Sequence, residues 1–177
     1  HDYITRSGGI FRDMTIHDFD MARWLLGEEV ETVIASASVL TDLKIGALGD
    51  CDSVNVILRT ASGRQAIITN SRRATYGYDQ RIEVLGSKGM AAAKNTALAN
   101  IVTADAAGFH EPPLLDFFMT RYTAAYANEI AAFVAAIADG APTPTTGQDG
   151  LMALVLAEAA LLSVAEGRAV QVADVTD

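Results

Sequence analysis

A single cysteine, Cys51, gives the chain no internal disulfide and no thiolate metal cluster, which suits a reducing compartment. As a small residue at a strand edge it needs no further role. Basic side chains are scarce: thirteen Lys and Arg stand against twenty-two Asp and Glu, for a formal net charge of -9. Nucleic acid is therefore a poor partner, since neutralising phosphates takes a basic stripe and Arg72-Arg73 is too short to make one. Apolar runs of membrane-spanning length are also missing. The richest segment, Leu151 to Val164, is too short and carries Glu158, so the expectation is a soluble, cytoplasmic protein without a membrane partner. No G-x-G-x-x-G turn is present to seat a dinucleotide; Gly46 with Gly49 and Gly86 with Gly89 have the spacing of plain turns. A P-loop, a G-x-S-x-G elbow and an H-E-x-x-H zinc helix are absent too.

What is present is a globular composition: 177 residues, half of them hydrophobic and one fifth charged, enough for one sizeable core. The numbering starts at His1 without an initiator methionine, a basic leader or a secretory segment, so the chain reads as the inside of a longer one. Glu31 to Leu40 alternates like a strand, and a loop with Gly46 and Gly49 follows. Ser53 to Thr60 and Arg64 to Asn70 flank Ala61-Ser62-Gly63 as an antiparallel hairpin. Arg81 to Leu85 resumes a strand, and Met90–Ala93 with Leu98–Thr103 is expected as a last short pair. A long alanine-rich helix is predicted within Leu114 to Ala138, with Phe117, Phe118, Tyr122, Tyr126, Ile130, Phe133, Val134 and Ile137 near one stripe. A second helix runs from Leu151 to Glu166, and Val170 to Val172 is a final strand. Together these predict an α+β domain: an open, mainly antiparallel sheet with helices packed on one face. Val, Ile and Leu occupy both parities of Val54 to Leu58, so the outer sheet face is the expected surface for a homo-oligomer.

The stretch Gly8 to Gly27 carries the chemistry. A glycine pair leads into a helical period in Met14, Phe19, Met21, Trp24 and Leu25, and Gly27 supplies the stop. Asp13 and His17 are four apart, so the spacing predicts a shared helical face. A carboxylate one turn from an imidazole holds an acid/base group in place and favours its protonated form. Such a pair is also a common surface ion pair; the Gly-Gly entry and a total of only three histidines favour the chemical reading. Asp20 lies close enough along the helix to serve as a third metal ligand, and His110-Glu111 could add more, but ligands this scattered point to no metal, and His110 beside Pro112-Pro113 reads as a loop residue.

The run Ser7 to Arg23 resembles the catalytic helix of the inositol branch of the glucose-fructose oxidoreductase / inositol dehydrogenase / rhizopine-catabolism (Gfo/Idh/MocA) family. Asn70-Ser71-Arg72-Arg73-Ala74-Thr75-Tyr76-Gly77-Tyr78-Asp79-Gln80-Arg81, Glu83 to Gly89 and Gly147 to Leu151 agree with it in register. The resemblance implies that residues 1–177 are a substrate-binding and oligomerisation domain, with a Rossmann cofactor domain and its catalytic lysine outside this chain. It implies an NAD-dependent oxidation of a ring secondary alcohol of myo-inositol, with Asp13 and His17 as catalytic residues and Tyr76 contacting the polyol. NAD would be bound mainly by the missing domain, and the chain alone is expected to be inactive. A dehydrogenase of another polyol or sugar, or a non-catalytic assembly domain on the same scaffold, are the alternatives.

Overall fold

The computed structural model describes residues 2–176, which divide into two units: residues 2–73 with 145–176, and Ala74–Pro144. The first unit holds α1 (Ile4–Ser7), a π-helical turn (Phe11–Thr15), α2 (Ile16–Leu26), β1 (Val30–Ser38), α3 (Leu43–Ala47), β2 (Ser53–Thr60) and β3 (Gln65–Ser71). The second unit consists of β4 (Ile82–Gly86), β5 (Gly89–Ala93), β6 (Thr103–Asp105), β7 (Gly108–His110), α4 (Phe118–Arg121) and α5 (Thr123–Asp139). The chain then returns to the first unit with α6 (Gly147–Glu166), β8 (Val170–Gln171) and α7 (Ala173–Thr176).

In the first unit β1, β2 and β3 form an antiparallel meander, and β8 adds to the free edge of β1 to give the order β3-β2-β1-β8. Val54, Val56, Leu58 and Thr60 of β2 point inward and are buried, while Asn55, Ile57 and Arg59 point out. The inner face meets Ile10, Phe11 and Phe19 from the segment around α2 and Leu156, Ala157, Ala159 and Ala160 from α6. Alanines on that side of α6 let the helix lie close to β1. Where β1 runs past the short β8, the Ala35 N–H donates to Ser163 Oγ at 2.9 Å, and the same hydroxyl donates to the Arg168 carbonyl at 2.6 Å. The expected architecture, an open antiparallel sheet with helices on one face, is what this unit shows.

Several local expectations change. The loop with Gly46 and Gly49 contains α3, because Asp42 caps its start by accepting the Lys44 N–H at 2.9 Å. Gly86-Ser87-Lys88-Gly89 is a hairpin turn, so Met90–Ala93 pairs back onto β4 and Leu98–Val102 forms no strand. Thr103 pairs with His110 across the turn 105–108, which places His110 in a strand, its ring 3.1 Å from Asp105. The long helix within Leu114 to Ala138 starts at Phe118 and is interrupted at Tyr122, whose ψ of 15° leaves the helical range. Its apolar stripe is largely exposed; Ile130, Phe133, Val134 and Ile137 all lie open. Finally, α6 begins at Gly147 because Thr146 and Asp149 form a reciprocal capping box. At twenty residues, with a mean hydropathy of 1.5 over its most apolar window, it is the one helix among the described residues long and apolar enough to cross a membrane. Its buried side is the sheet-packing face just described.

Candidate active site

Two glycines open the site. Gly8 and Gly9 both have φ of 87°, the left-handed region that L side chains rarely adopt. A Cβ on Gly9 would also fall 2.9 Å from Asp50 Oδ1. This tight entry lets the Ile10 N–H donate to that same oxygen at 3.0 Å. The chain then makes a π-helical turn, with Phe11 and Thr15 buried, before α2 continues in ordinary α geometry.

The widened turn departs from the 3.6-residue period on which the expected Asp13–His17 juxtaposition rested. Asp13 turns inward, its carboxylate only 11% exposed. Oδ1 accepts the Tyr3 hydroxyl at 2.5 Å, and Oδ2 accepts from Arg72 Nη1 at 3.0 Å. The bond to Asp13 holds the Tyr3 phenol above its usual range. His17, on the first turn of α2, is exposed. Among the described residues no hydrogen bond or ion pair links it to Asp13, and His17 stands open to an incoming molecule. Its neighbour Asp18 accepts from Asn70 Nδ2 at 2.9 Å.

Asp20 lies 3.5 Å from Arg23, whose buried guanidinium also engages Glu29 at 2.6 Å and 2.8 Å and the Asp149 carbonyl at 3.2 Å. Asp20 thus faces a structural clamp. No three His, Cys, Asp or Glu side chains gather in a metal-binding group among the described residues. Cys51 is half-buried, and burial followed by the Asp50 charge pushes its thiol up to about 11.

Tyr76 belongs to the second unit, where its ring is exposed and its hydroxyl donates to Asp79. Asp79 also accepts from Arg81 at 2.7 Å and 2.9 Å and from Asn95 at 2.7 Å. The Arg81 guanidinium is the main reason that Asp79 falls to about 2.

The partners that sequence reading missed are Tyr3, Asp50 and Arg72. Arg72 lies 59 positions from Asp13, so no spacing rule links them. The available signal was the hairpin: its register pairs Ser53 with Ser71, bringing the residues just before β2 beside those just after β3.

Residues 2–92 match the model of the GFO/IDH/MocA C-terminal domain, just over half of the chain. An inositol 2-dehydrogenase of Rhizobium meliloti is 66% identical over 172 residues, covering 97% of this chain and 52% of that protein. Among solved structures, a myo-inositol dehydrogenase from Corynebacterium glutamicum superposes with a TM-score of 0.92 at 44% identity, covering 96% of this chain and 51% of that one. A scyllo-inositol dehydrogenase from Lactobacillus casei, with bound NAD(H) and scyllo-inositol, gives 0.86 at 29% identity, covering 94% and 49%. The chain thus spans about half the length of the relatives it matches. Through this C-terminal domain, the chain belongs to the Gfo/Idh/MocA family.

Proposed function

We propose that this chain is the substrate-binding and catalytic half of a cytoplasmic, NAD-dependent myo-inositol 2-dehydrogenase. The observation that carries the reading is an exposed histidine, His17, four residues on from a carboxylate, Asp13, held by Tyr3 and Arg72, in a chain 66% identical to a protein named inositol 2-dehydrogenase. The overall reaction oxidises a ring secondary alcohol to a ketone, the C–H hydrogen leaving as hydride to NAD and the hydroxyl hydrogen as a proton. His17 takes that proton, since its imidazole is exposed and is the side chain of this segment whose chemistry suits a general base near neutral pH. Asp13 supplies a fixed negative charge near the imidazolium that forms. For Tyr76, in the second unit, the family resemblance implies contact with the polyol, and its phenol is a hydrogen-bonding group, here donating to Asp79.

Among the described residues no element has the form of a pyrophosphate cradle for NAD. The described sheets are antiparallel throughout, without the strand-to-helix glycine turn that seats a dinucleotide. Cofactor binding is therefore assigned to the remaining half of a parent protein of the relatives' length. The parent assembles as a homo-oligomer through the outer sheet face, where Ile34, Ile57 and Ile67 lie directly opposite one another across β1, β2 and β3.

The test is NAD reduction with myo-inositol by the full-length parent and by this chain alone. The parent should turn over and the isolated chain should be silent. Turnover by the isolated chain would overturn the division of labour, and a parent active only on another polyol would move the substrate while keeping the reaction.

A further inference from the structure

Arg72 takes part in no step above, yet carboxylates close on it from two directions. Its guanidinium is 12% exposed and lies between Asp13 and Asp50, themselves 11% and 10% exposed. Nη1 donates to Asp13 Oδ2 and Nη2 to Asp50 Oδ2, each at 3.0 Å, so the fork spans two separate carboxylates. Nε is buried without a hydrogen-bond partner, and Met14 Sδ sits 3.7 Å from Nη1. The two carboxylates therefore set the orientation of the group. Asp50 is anchored in turn, because its other oxygen accepts the Ile10 N–H at the start of the π-helical turn. The Arg72 backbone is pinned as well, its N–H donating to the Asp52 carbonyl at 2.8 Å. Asp13 is thus held at Oδ1 by Tyr3 and at Oδ2 from the end of the β2–β3 hairpin, across the chain.

We propose that Arg72 is a positioning residue for the reaction: it fixes the Asp13 carboxylate and balances its charge, with Asp50 securing Arg72 from the opposite side. The assignment rests on the reading of Asp13 and His17 as the reacting groups. Without Arg72 the Asp13 carboxylate, only 11% exposed, would lose its counter-ion and keep only the Tyr3 hydroxyl, so its charge would no longer be secured where the imidazolium forms. Lysine is a poor replacement, since one compact ammonium cannot span two carboxylates in a fixed plane.

The test is a double-mutant cycle in the full-length parent, comparing Asp13→Asn, Arg72→Met and the two combined, with Arg72→Lys beside them. The readouts are kcat and KM for NAD-dependent oxidation of myo-inositol, with thermal unfolding as the control for folding. Arg72→Met should lower kcat about ten- to a hundredfold while the KM for NAD stays put. The combined variant should be no slower than the slower single one, and Arg72→Lys should recover only part of the loss. If Arg72→Met does not fold, Asp50→Asn takes its place, with a smaller kcat loss that vanishes in the Asp13→Asn background. Additive losses, or an Arg72→Met enzyme with the parent's kcat, would overturn the positioning role and leave the function reading intact. An Asp13→Asn enzyme at full rate, or a parent that oxidises no polyol, would remove the reading of the site and the positioning role with it.

Discussion

Asp52 has no solvent exposure, and five donors converge on its carboxylate: the N–H groups of Leu40, Thr41 and Asp42 and the hydroxyls of Thr41 and Ser53. Burial opposes its charge, but these donors outweigh burial and hold the carboxyl well below its usual range. Replacing Asp52 by alanine strands several buried donors and should cost about 3 kcal/mol in urea unfolding. Because the folded carboxyl is the stronger acid, its contribution is full above the ordinary carboxylate range near ~4 and is lost as pH falls below it. The stability gap between Asp52→Ala and the unsubstituted chain should therefore narrow on acidification; a gap independent of pH would contradict the assignment. At this scale the sequence singled out candidate residues but not their partners. Asp13 and His17 stood out through a four-residue spacing, whereas Arg72 reaches Asp13 and Asp50 only after the hairpin has folded.

Elements were legible where the signal was local. The Ser53–Thr60 strand, its turn and the strand that follows are recognisable from alternation and Ala61-Ser62-Gly63, and the structure pairs them with Ser53 opposite Ser71. Boundaries set by caps were less legible. The start of α6 depends on Thr146 and Asp149 closing on each other, which admits Gly147 and Gly150 to a helix that composition alone would begin at Leu151. Thr146→Ala should cost about 1 kcal/mol, read as a lower thermal midpoint with unchanged sheet signal. No change in midpoint would mean that packing against β1 alone sets this helix start. The π-helical turn at Phe11–Thr15 had no signature in the hydrophobic period, because one widened turn of five residues is too short to establish a period of its own.

At the scale of the whole molecule, one face of the four-stranded sheet is a core and the other is open. The open face carries the isoleucine row of Ile34, Ile57 and Ile67, between a row of Thr32, Arg59 and Gln65 and a row of Ser36, Asn55 and Thr69. A row of this kind can pair with its own copy about a two-fold axis. Ile57→Asp, at the centre of the row, should shift the parent to monomer in sedimentation velocity without loss of fold; an unchanged oligomer would place the interface elsewhere. Assembly is separate from the proposed chemistry, which rests on the exposed imidazole of His17. The measurement that tests this most directly is the kcat of the full-length parent for NAD reduction with myo-inositol, compared with that of His17→Ala. The variant should fold, bind NAD as before and lose about a hundred- to a ten-thousandfold in kcat, the range expected for loss of a general base. A folded His17→Ala enzyme turning over at the parent's rate would contradict the account.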